Sequence, residues 1–310
     1  MFQDTIHIAF NIDSNYVRHC AVTMASIFRN NQKETFCLHI VTGGLKPEEK
    51  EKLCGLAEHY GSRVEFYMPK PGQLDGFTIR KFSKRISLAT YYRCVLSDVL
   101  PAEVDRVIYL DCDILVLDRL RPLWEMPLDG AGLAAVEDIG ADDAPRYEVL
   151  KYPMADSYFN AGVLLIDLDY WRRHDIPRKC VEYYRTYPER IVYNDQDILN
   201  SIFHDNKKFV DLRWNMQDAF YRPLPKFDDA WRTAHAADLC KPAILHFTNR
   251  KPWEYDNQHP LRHLYFCYNE FTPWCEKQPW ESCWNRFRRF VRLLPFRLHL
   301  REPKYISLER

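Results

Sequence analysis

In the stretch Arg106-Val-Ile-Tyr-Leu-Asp-Cys-Asp-Ile-Leu-Val116, a run of strand-forming residues ends in two carboxylates, Asp111 and Asp113. Ligands of open α/β sheets bind where the strands end, and a turn at that point brings both acids to one place. Two carboxylates in a partly dry crevice repel each other strongly unless a cation lies between them. The stretch therefore predicts a site for a divalent metal that holds a diphosphate, with a solvated turn as the alternative interpretation.

The rest of the 310-residue chain alternates short apolar strands with helical patterns. This alternation predicts one elaborated α/β domain with a mostly parallel sheet and helices on both faces. We expect a helix over 88–100, directly before the stretch quoted above. The predicted strands are 6–11, 37–42, 63–67, 107–110, 132–136, 162–166 and 243–247, and further helices cover 21–28 and 47–58.

Composition limits the classes of function. The formal net charge is zero, which removes any global electrostatic argument for a nucleic-acid partner. Ten cysteines are scattered without a Cys-x-x-Cys pair, so we expect buried thiols in a reducing compartment rather than zinc or a disulfide scaffold. The N-terminus lacks a basic region followed by an apolar stretch, and no apolar run reaches membrane-spanning length. These features predict a cytoplasmic location.

The first predicted strand ends in a polar cluster, Asn11-Ile-Asp-Ser-Asn-Tyr16. In a doubly wound fold this turn contacts nucleotides, so Asp13 can accept hydrogen bonds from a base or ribose and Tyr16 can stack. Capping of the following helix is the alternative role for Asn15. No glycine-rich dinucleotide or P-loop motif occurs, so a nucleotide here needs its diphosphate held by metal.

Two further segments carry polar side chains that suit a sugar ligand. Asn160 precedes Ala161 and Gly162 at the start of a buried strand, where close backbone approach and an amide suit sugar hydroxyls. A tight turn explains the same residues. Asp195 and Gln196 open a helical pattern, where an acid is an ordinary cap, but a neutral glutamine also suits a site near a developing cationic sugar carbon.

Late in the chain, His246 ends an apolar strand and Lys251 follows five residues later. His246 can complete a metal shell with the two aspartates, although a lone histidine is more often structural. Lys251 can neutralise a leaving diphosphate, and a solvated surface lysine is the alternative.

These motifs occur in one order along the chain, and together they resemble glycosyltransferase family 8, above all its bacterial lipopolysaccharide galactosyl- and glucosyltransferases. The resemblance implies a GT-A fold, a UDP-hexose donor, Mn²⁺ with Mg²⁺ as a possible substitute, and transfer of the hexose to a saccharide acceptor with retention of anomeric configuration. The six segments that carry it are Asp13–Tyr16, Thr90–Arg93, Tyr109–Leu115, Phe159–Leu165, Asp195–Asn200 and His246–Trp253.

The resemblance also implies roles for single residues. The implied metal ligands are Asp111, Asp113 and His246. Gln196 and Asp195 take the catalytic positions, with Gln196 near the anomeric carbon. The implied donor-binding residues are Asn11, Ile12, Asp13, Asn15, Tyr16, Arg93, Asp111, Cys112, Asp138, Asn160, Ala161, Gly162, Asn249 and Lys251. Two of these keep an alternative, because Glu137 can be the matching acid instead of Asp138 and Arg93 can be a helix-surface ion pair.

The C-terminal segment 284–301 contains six arginines, no acids and interleaved aromatic and aliphatic residues. This composition predicts an anionic membrane surface as partner, and hence a peripheral location at the inner face of the cytoplasmic membrane and a lipid-linked acceptor. We expect Pro295 to divide it into two short helices. The alternatives are a helix whose apolar face packs on the domain, nucleic-acid binding, or an acceptor platform. That platform would be built from Trp253, Trp274, Trp280 and Trp284.

We therefore expect a GT-A domain at 1–255 and a C-terminal extension at 256–310. Gln196 is a poor nucleophile, which favours attack on the same face as the leaving group, with the departing phosphate as base. Two other functions remain open on the residues alone. One is a binding protein for glycans or nucleotide sugars without activity, and the other is a phosphatase with an aspartate nucleophile.

Overall fold

The structure is a computed structural model that describes residues 5–79, 87–275, 282–298 and 300–308. A seven-stranded sheet in the order β3-β2-β1-β4-β7-β6-β8 forms its centre, and a three-stranded sheet in the order β5-β10-β9 lies beside it. The strands are β1 (Ile6–Ile12), β2 (Phe36–Thr42), β3 (Arg63–Tyr67), β4 (Arg106–Leu110), β5 (Ile114–Val116), β6 (Leu133–Glu137), β7 (Phe159–Asp167), β8 (Lys208–Phe209), β9 (Met216–Gln217) and β10 (Ile244–His246).

Helices cover both faces of the large sheet, as the alternating pattern predicts. They are α1 (Val17–Asn30), α2 (Pro47–His59), α3 (Leu96–Val99), α4 (Arg121–Trp124), α5 (Ala144–Leu150), α6 (Leu168–Arg173), α7 (Ile176–Thr186), α8 (Asp195–Phe203), α9 (Asp229–Ala234), α10 (Ala236–Cys240), α11 (Arg262–Asn269) and α12 (Cys283–Arg297). Short 3₁₀ helices lie at Leu88–Val95, Met154–Asp156, Pro188–Arg190, Leu212–Asn215 and Asp218–Tyr221.

Each face of the sheet has its own core. Ile8 and Phe10 of β1 pack with α1 and α2 in one cluster, whereas Ala9, between them, packs in a second cluster with α6 to α8. This separation follows from the two-residue alternation of a strand. All seven predicted strands exist, and their ends shift by at most a few residues.

The predicted helix over 88–100 is confirmed in position, although most of it is a 3₁₀ helix rather than an α-helix. A 3₁₀ helix runs from Leu88 to Val95, and only the short α3 follows it. A 3₁₀ helix has three residues per turn, so it places Thr90 and Arg93 on one side of the segment. Both side chains contact Asp195, and these contacts hold the segment against the beginning of α8.

Strand β7 departs from the parallel pattern. It pairs antiparallel with β4 on one side and with β6 on the other, whereas β1, β2, β3 and β4 run parallel to each other. The sequence of β7 is an apolar run that is buried over nearly its whole length, and such a run carries no signal of direction. The reversal brings the beginning of β7, with Asn160 to Gly162, to the edge where β1 and β4 end.

Two further expectations need correction. Helix α12 continues through Pro295 and ends at Arg297, because a proline so close to the helix end removes only one late hydrogen bond. Cys20, Cys37, Cys94, Cys112 and Cys180 are buried as expected, and Cys54 is half-buried. Cys240, Cys267, Cys275 and Cys283 are exposed, since they lie in the C-terminal part of the chain on solvent-facing helices or in a loop.

The C-terminal part of the chain packs on the smaller sheet. Tyr265 of α11 and Tyr305 join a cluster with Leu245 and Phe247, and the Tyr305 hydroxyl donates to Asp218 Oδ1 at 2.8 Å. Among the described residues, the structure holds no helix with both the length and the apolar composition that a bilayer span requires.

Candidate active site

The ends of β1, β4 and β10 and the beginning of β7 surround one cleft of about 330 Å³. It is lined by most of the residues that the sequence singles out, although these are up to 240 positions apart along the chain. The predicted residues that line it are Asn11, Ile12, Asp13, Tyr16, Arg93, Asp111, Cys112, Asp113, Asn160, Asp195, Gln196, His246, Asn249 and Lys251.

Asp111, Asp113 and His246 converge as a possible metal site. Each offers one ligand atom, and these three atoms lie within 4.8 Å of one another. His246 Nε2 lies 3.2 Å from Asp113 Oδ1 and 3.8 Å from Asp111 Oδ2. Two carboxylate oxygens and one imidazole nitrogen form a donor set that suits a divalent cation such as Mn²⁺.

The tautomer of His246 is set by Asn215, a residue that the sequence analysis missed. His246 Nδ1 lies 2.9 Å from Asn215 Oδ1, and an amide oxygen can only accept, so Nδ1 carries the proton. In the neutral ring Nε2 therefore keeps a lone pair directed toward the two acids, which is the arrangement that a metal-binding histidine requires. Asn215 lies at the end of a short 3₁₀ turn, where no periodic pattern draws attention to it.

Lys251 lies against the same acids. Its ammonium group forms a buried ion pair with Asp113 Oδ2 and also donates to the Phe247 carbonyl at 2.8 Å. Burial opposes ionisation of Asp113, but Lys251 and His246 outweigh it and hold the pKa of this carboxyl well below its usual range. The alternative of a solvated surface lysine is therefore wrong.

Arg93 connects the candidate metal site to the beginning of α8. Its guanidinium donates to Asp111 Oδ1 at 2.7 Å and pairs with Asp195 Oδ2 at 2.8 Å, and it is buried rather than on a helix surface. Asp195 also accepts a hydrogen bond from Thr90. Burial raises the pKa of Asp195 to about 6, although Arg93 opposes the shift. Asn194, not Asp195, occupies the cap position of α8.

Gln196 is fixed at both ends of its amide. Its Oε1 accepts from the Ala161 backbone N–H at 2.9 Å, and its Nε2 donates to Asp138 Oδ2 at 3.3 Å. Asn160 donates to the same oxygen of Asp138 at 3.0 Å and accepts from Asn215 at 2.9 Å. A continuous hydrogen-bonded chain therefore runs from His246 through Asn215, Asn160 and Asp138 to Gln196.

Close packing explains the glycine at position 162. A Cβ at Gly162 would lie 2.2 Å from His246 Cε1 and 2.9 Å from Asp111 Oδ2, closer than real Cβ atoms approach other atoms. The Gly162 carbonyl also accepts the backbone N–H of Asp111 at 2.9 Å. Because Gly162 has no side chain, β7 can pack directly against the side chains of His246 and Asp111.

A few predicted residues lie away from the cleft surface. Asp138 lies directly behind Asn160 and Gln196, whereas the alternative acid Glu137 is exposed and bonds Ser157. Asn15 is exposed outside the cleft, and its backbone N–H donates to Asp13 Oδ1 at 2.9 Å. Tyr109 of β4, by contrast, lines the cleft, and its hydroxyl donates to Asp111 Oδ1 at 2.9 Å.

Helix α12 faces solvent with aromatic side chains. Trp284 is 64% exposed and Phe287 is 56% exposed, while Leu293 is buried. On the inner side, Arg292 pairs with Asp256 at 3.2 Å and Arg289 donates to backbone carbonyls. The helix therefore does not simply pack an apolar face on the domain with its arginines in solvent.

The proposed tryptophan platform is not formed by the described members. Trp253 stacks on His19 with ring centroids 3.4 Å apart, Trp274 lies beside Lys52, and Trp284 stacks on Phe287. Trp280 lies outside the described residues.

Known proteins resemble this chain in sequence and in structure. Residues 7–257 match the family described as Glycosyl transferase family 8. General stress protein A of Bacillus subtilis is 31% identical over 87% of this chain and 95% of its own length. The lipopolysaccharide 1,3-galactosyltransferase of Salmonella typhimurium is 27% identical over 87% of this chain and 80% of its own length.

A solved structure has the same architecture. The galactosyltransferase LgtC, in complex with donor and acceptor sugar analogs, superposes with a TM-score of 0.75 and 25% sequence identity, covering 89% of this chain and 99% of its own. The predicted mostly parallel sheet flanked by helices is thereby confirmed as an architecture shared with a known sugar transferase.

Proposed function

The chain belongs to glycosyltransferase family 8, and from this premise we propose that it transfers glucose or galactose from a UDP-hexose to a saccharide acceptor with retention of configuration. The convergence of Asp111, Asp113 and His246 beside Lys251 in one cleft carries the proposal. The likeness to the Salmonella lipopolysaccharide galactosyltransferase and to LgtC supports a hexose donor and a glycan acceptor. Family membership argues against a phosphatase.

Mn²⁺ is the proposed cofactor, with Mg²⁺ as a possible substitute. Asp111, Asp113 and His246 would hold it, and the prepared lone pair on His246 Nε2 supports this assignment. The bound cation supplies positive charge for the oxygens of the diphosphate. Lys251 adds a second positive charge at the same position, so the leaving UDP needs no strong acid.

The nucleotide is assigned to the part of the cleft formed by the end of β1. Asn11 supports this, because neither atom of its buried side-chain amide has a hydrogen-bond partner within the described part of the chain. A buried amide without partners is costly, and a uracil or ribose supplies both a donor and an acceptor. Asp13 and Tyr16 line the same end of the cleft.

The donor sugar is assigned to the part of the cleft that is lined by Arg93, Asn160, Asp195 and Gln196. Gln196 carries no charge, and its amide is held on both sides, so it stabilises charge near the anomeric carbon without attacking it. We assign attack of the acceptor hydroxyl to the same face from which UDP leaves, with the departing phosphate taking the proton.

The acceptor is proposed to be lipid-linked, and the enzyme to lie at the inner face of the cytoplasmic membrane. The observation in favour is α12, which exposes Trp284 and Phe287 among arginines. Aromatic rings enter the headgroup region, and arginines attract anionic lipids. The extension at 256–310 is accordingly proposed to present the cleft to the membrane.

Release of UDP tests the proposed function. UDP-glucose and UDP-galactose are incubated with the protein in Mn²⁺ or in EDTA, together with Asp113→Ala and the control Glu182→Ala, which removes an exposed acid on α7. We expect Mn²⁺-dependent release from one sugar, loss in Asp113→Ala, and retention in the control. UDP binding without release from either sugar would indicate a binding protein and overturn the proposal.

A further inference from the structure

A second cluster of metal-ligand side chains lies on the large sheet, away from the cleft. His7 belongs to β1, and Cys37 and His39 belong to the neighbouring strand β2. Each offers one ligand atom, and these atoms lie within 4.8 Å of one another. His7 begins the strand whose other end carries Asn11, and four residues of strand span about 13 Å. The cluster is therefore distinct from the site at Asp111.

Strand register creates this cluster. His7 is paired directly with Cys37, and Ala9 is paired with His39. Residues two apart on a strand share a face, so all three ligand side chains project from the same side of the sheet. The small side chain of Ala9 leaves space for the His39 ring to lean toward β1. His7 Nδ1 and His39 Nε2 consequently lie 2.8 Å apart.

The other ring nitrogen of His39 has a hydrogen-bond partner, as is typical of a metal-binding histidine. Its Nδ1 lies 3.0 Å from the hydroxyl of Tyr67 on β3. A hydrogen bond from Nδ1–H to the Tyr67 oxygen leaves the lone pair on Nε2, which faces His7 and Cys37. Ligating histidines are typically oriented by such an outer hydrogen bond.

From this geometry we propose that His7, Cys37 and His39 form a second metal site, selective for a borderline-soft ion such as Zn²⁺. Two imidazole nitrogens and a thiolate suit Zn²⁺, whereas the two carboxylates and one histidine of the cleft suit Mn²⁺. On binding, the Cys37 thiol releases its proton to solvent, and the proton shared between the two histidines moves to His7 Nε2 or to solvent. No electron is transferred.

The surroundings admit a cation. His7 is half-buried and offers a route from solvent, while Cys37 and His39 are buried. On β3, Arg63 is in register with Cys37 and Glu65 with His39, and these two side chains lie 3.8 Å apart. The carboxylate of Glu65 thus partly offsets the positive charge of Arg63 next to the site. A bound ion would join β1 to β2 and stabilise the folded state.

Cobalt spectroscopy tests this site separately from the cleft. The protein carrying Asp113→Ala is titrated with Co²⁺ and with Zn²⁺, so that the oxygen-rich site no longer contributes. We expect one equivalent of Co²⁺ to give a thiolate-to-cobalt charge-transfer band and tetrahedral visible bands, and Zn²⁺ to displace it. Adding Cys37→Ser or His39→Gln should abolish the bands, whereas the matched control Cys54→Ser should retain them.

Tyr67→Phe provides a variant that leaves every ligand in place. Loss of its hydroxyl should weaken Zn²⁺ binding by about 10–100-fold, since the outer hydrogen bond to His39 is removed. Absence of a charge-transfer band in natively folded Asp113→Ala protein would overturn the proposal, as would a band that survives Cys37→Ser. Circular dichroism of each variant separates loss of binding from loss of folding.

Discussion

His246 donates its Nδ1 proton to Asn215 Oδ1 across 2.9 Å, and this single hydrogen bond fixes which nitrogen of the ring faces Asp111 and Asp113. Replacing Asn215 by Leu removes the acceptor and frees the ring to rotate. We expect Mn²⁺ affinity, measured by electron paramagnetic resonance, to fall by about 10–100-fold. Asn215→Asp keeps an acceptor and should lose less, and equal affinity in wild type and Asn215→Leu would contradict the assigned role.

Gly162 is expected to tolerate no side chain. In Gly162→Ala the new methyl group meets His246 and Asp111, so one of the two must move. We expect Mn²⁺ binding and UDP release to be lost while the circular dichroism spectrum stays native. Gly55→Ala is the matched control, because a Cβ at Gly55 has open space on α2 and should leave activity unchanged. Normal Mn²⁺ binding by Gly162→Ala would refute this packing argument.

Gln196→Ala tests the amide that we assign to the donor sugar. The substitution removes the amide held by Ala161 and Asp138, but it touches neither the metal ligands nor Asn11. We expect turnover at saturating UDP-hexose to fall by about 10²–10³-fold. Calorimetry should show unchanged affinity for UDP with Mn²⁺. A parallel loss of UDP affinity would mean that the residue acts in nucleotide binding instead.

Membrane association should depend on the exposed rings of α12. Trp284→Ala combined with Phe287→Ala removes two side chains that are more than half exposed. Binding to vesicles that contain anionic lipid should fall by roughly tenfold or more, because each ring contributes apolar contact area. Cosedimentation measures the effect, and Phe209→Ala, an exposed aromatic on β8, is the control. Unchanged binding of the double variant would remove α12 as the contact.

Acid should destabilise the protein through its buried histidines. Burial lowers the pKa of His259 from 6.5 to about 3. Above the unfolded pKa both states are neutral, and as pH falls below it only the unfolded state takes up the proton. The free energy of unfolding therefore falls with decreasing pH, by up to about 1.4 kcal/mol per pH unit for this group.

Urea denaturation in the range of about pH 6 to pH 5 measures this dependence. His259→Asn cannot be protonated, so its stability should fall less steeply with acid than that of wild type. His263→Asn, which replaces an exposed histidine, should keep the wild-type slope. Identical slopes in all three proteins would show that His259 is not responsible.

The sequence was sufficient where function requires particular residue types at strand ends. Asp111 and Asp113 follow β4, and His246 ends β10, so their convergence was predictable from chemistry and position, while their role as metal ligands stays a prediction. Asn215 was not predictable, because it lies in a short turn without periodicity and acts through its hydrogen bonds to His246 and Asn160. His246 is also 31 positions away, and sequence spacing alone does not reveal that contact.

The direction of β7 and the orientation of α12 could not be predicted from the sequence either. The apolar residues of β7 predict a buried strand, but they fit a parallel and an antiparallel strand equally well. Its antiparallel pairing depends on the path of the chain that precedes it. The arginines and aromatics of α12 predicted an amphipathic surface. Which side faces the protein is decided by local partners such as Asp256, which pairs with Arg292.

The position of β10 has a consequence for biosynthesis. This strand pairs with β5, more than 120 positions earlier in the chain, and it supplies His246, while Lys251 follows it. A nascent polypeptide that has emerged only as far as β9 already holds Asp111 and Asp113 but has neither His246 nor Lys251. Arg93 can already pair with Asp111, but Asp113 still lacks its ion pair with Lys251, so the catalytic centre can assemble only when the chain through Lys251 has left the ribosome.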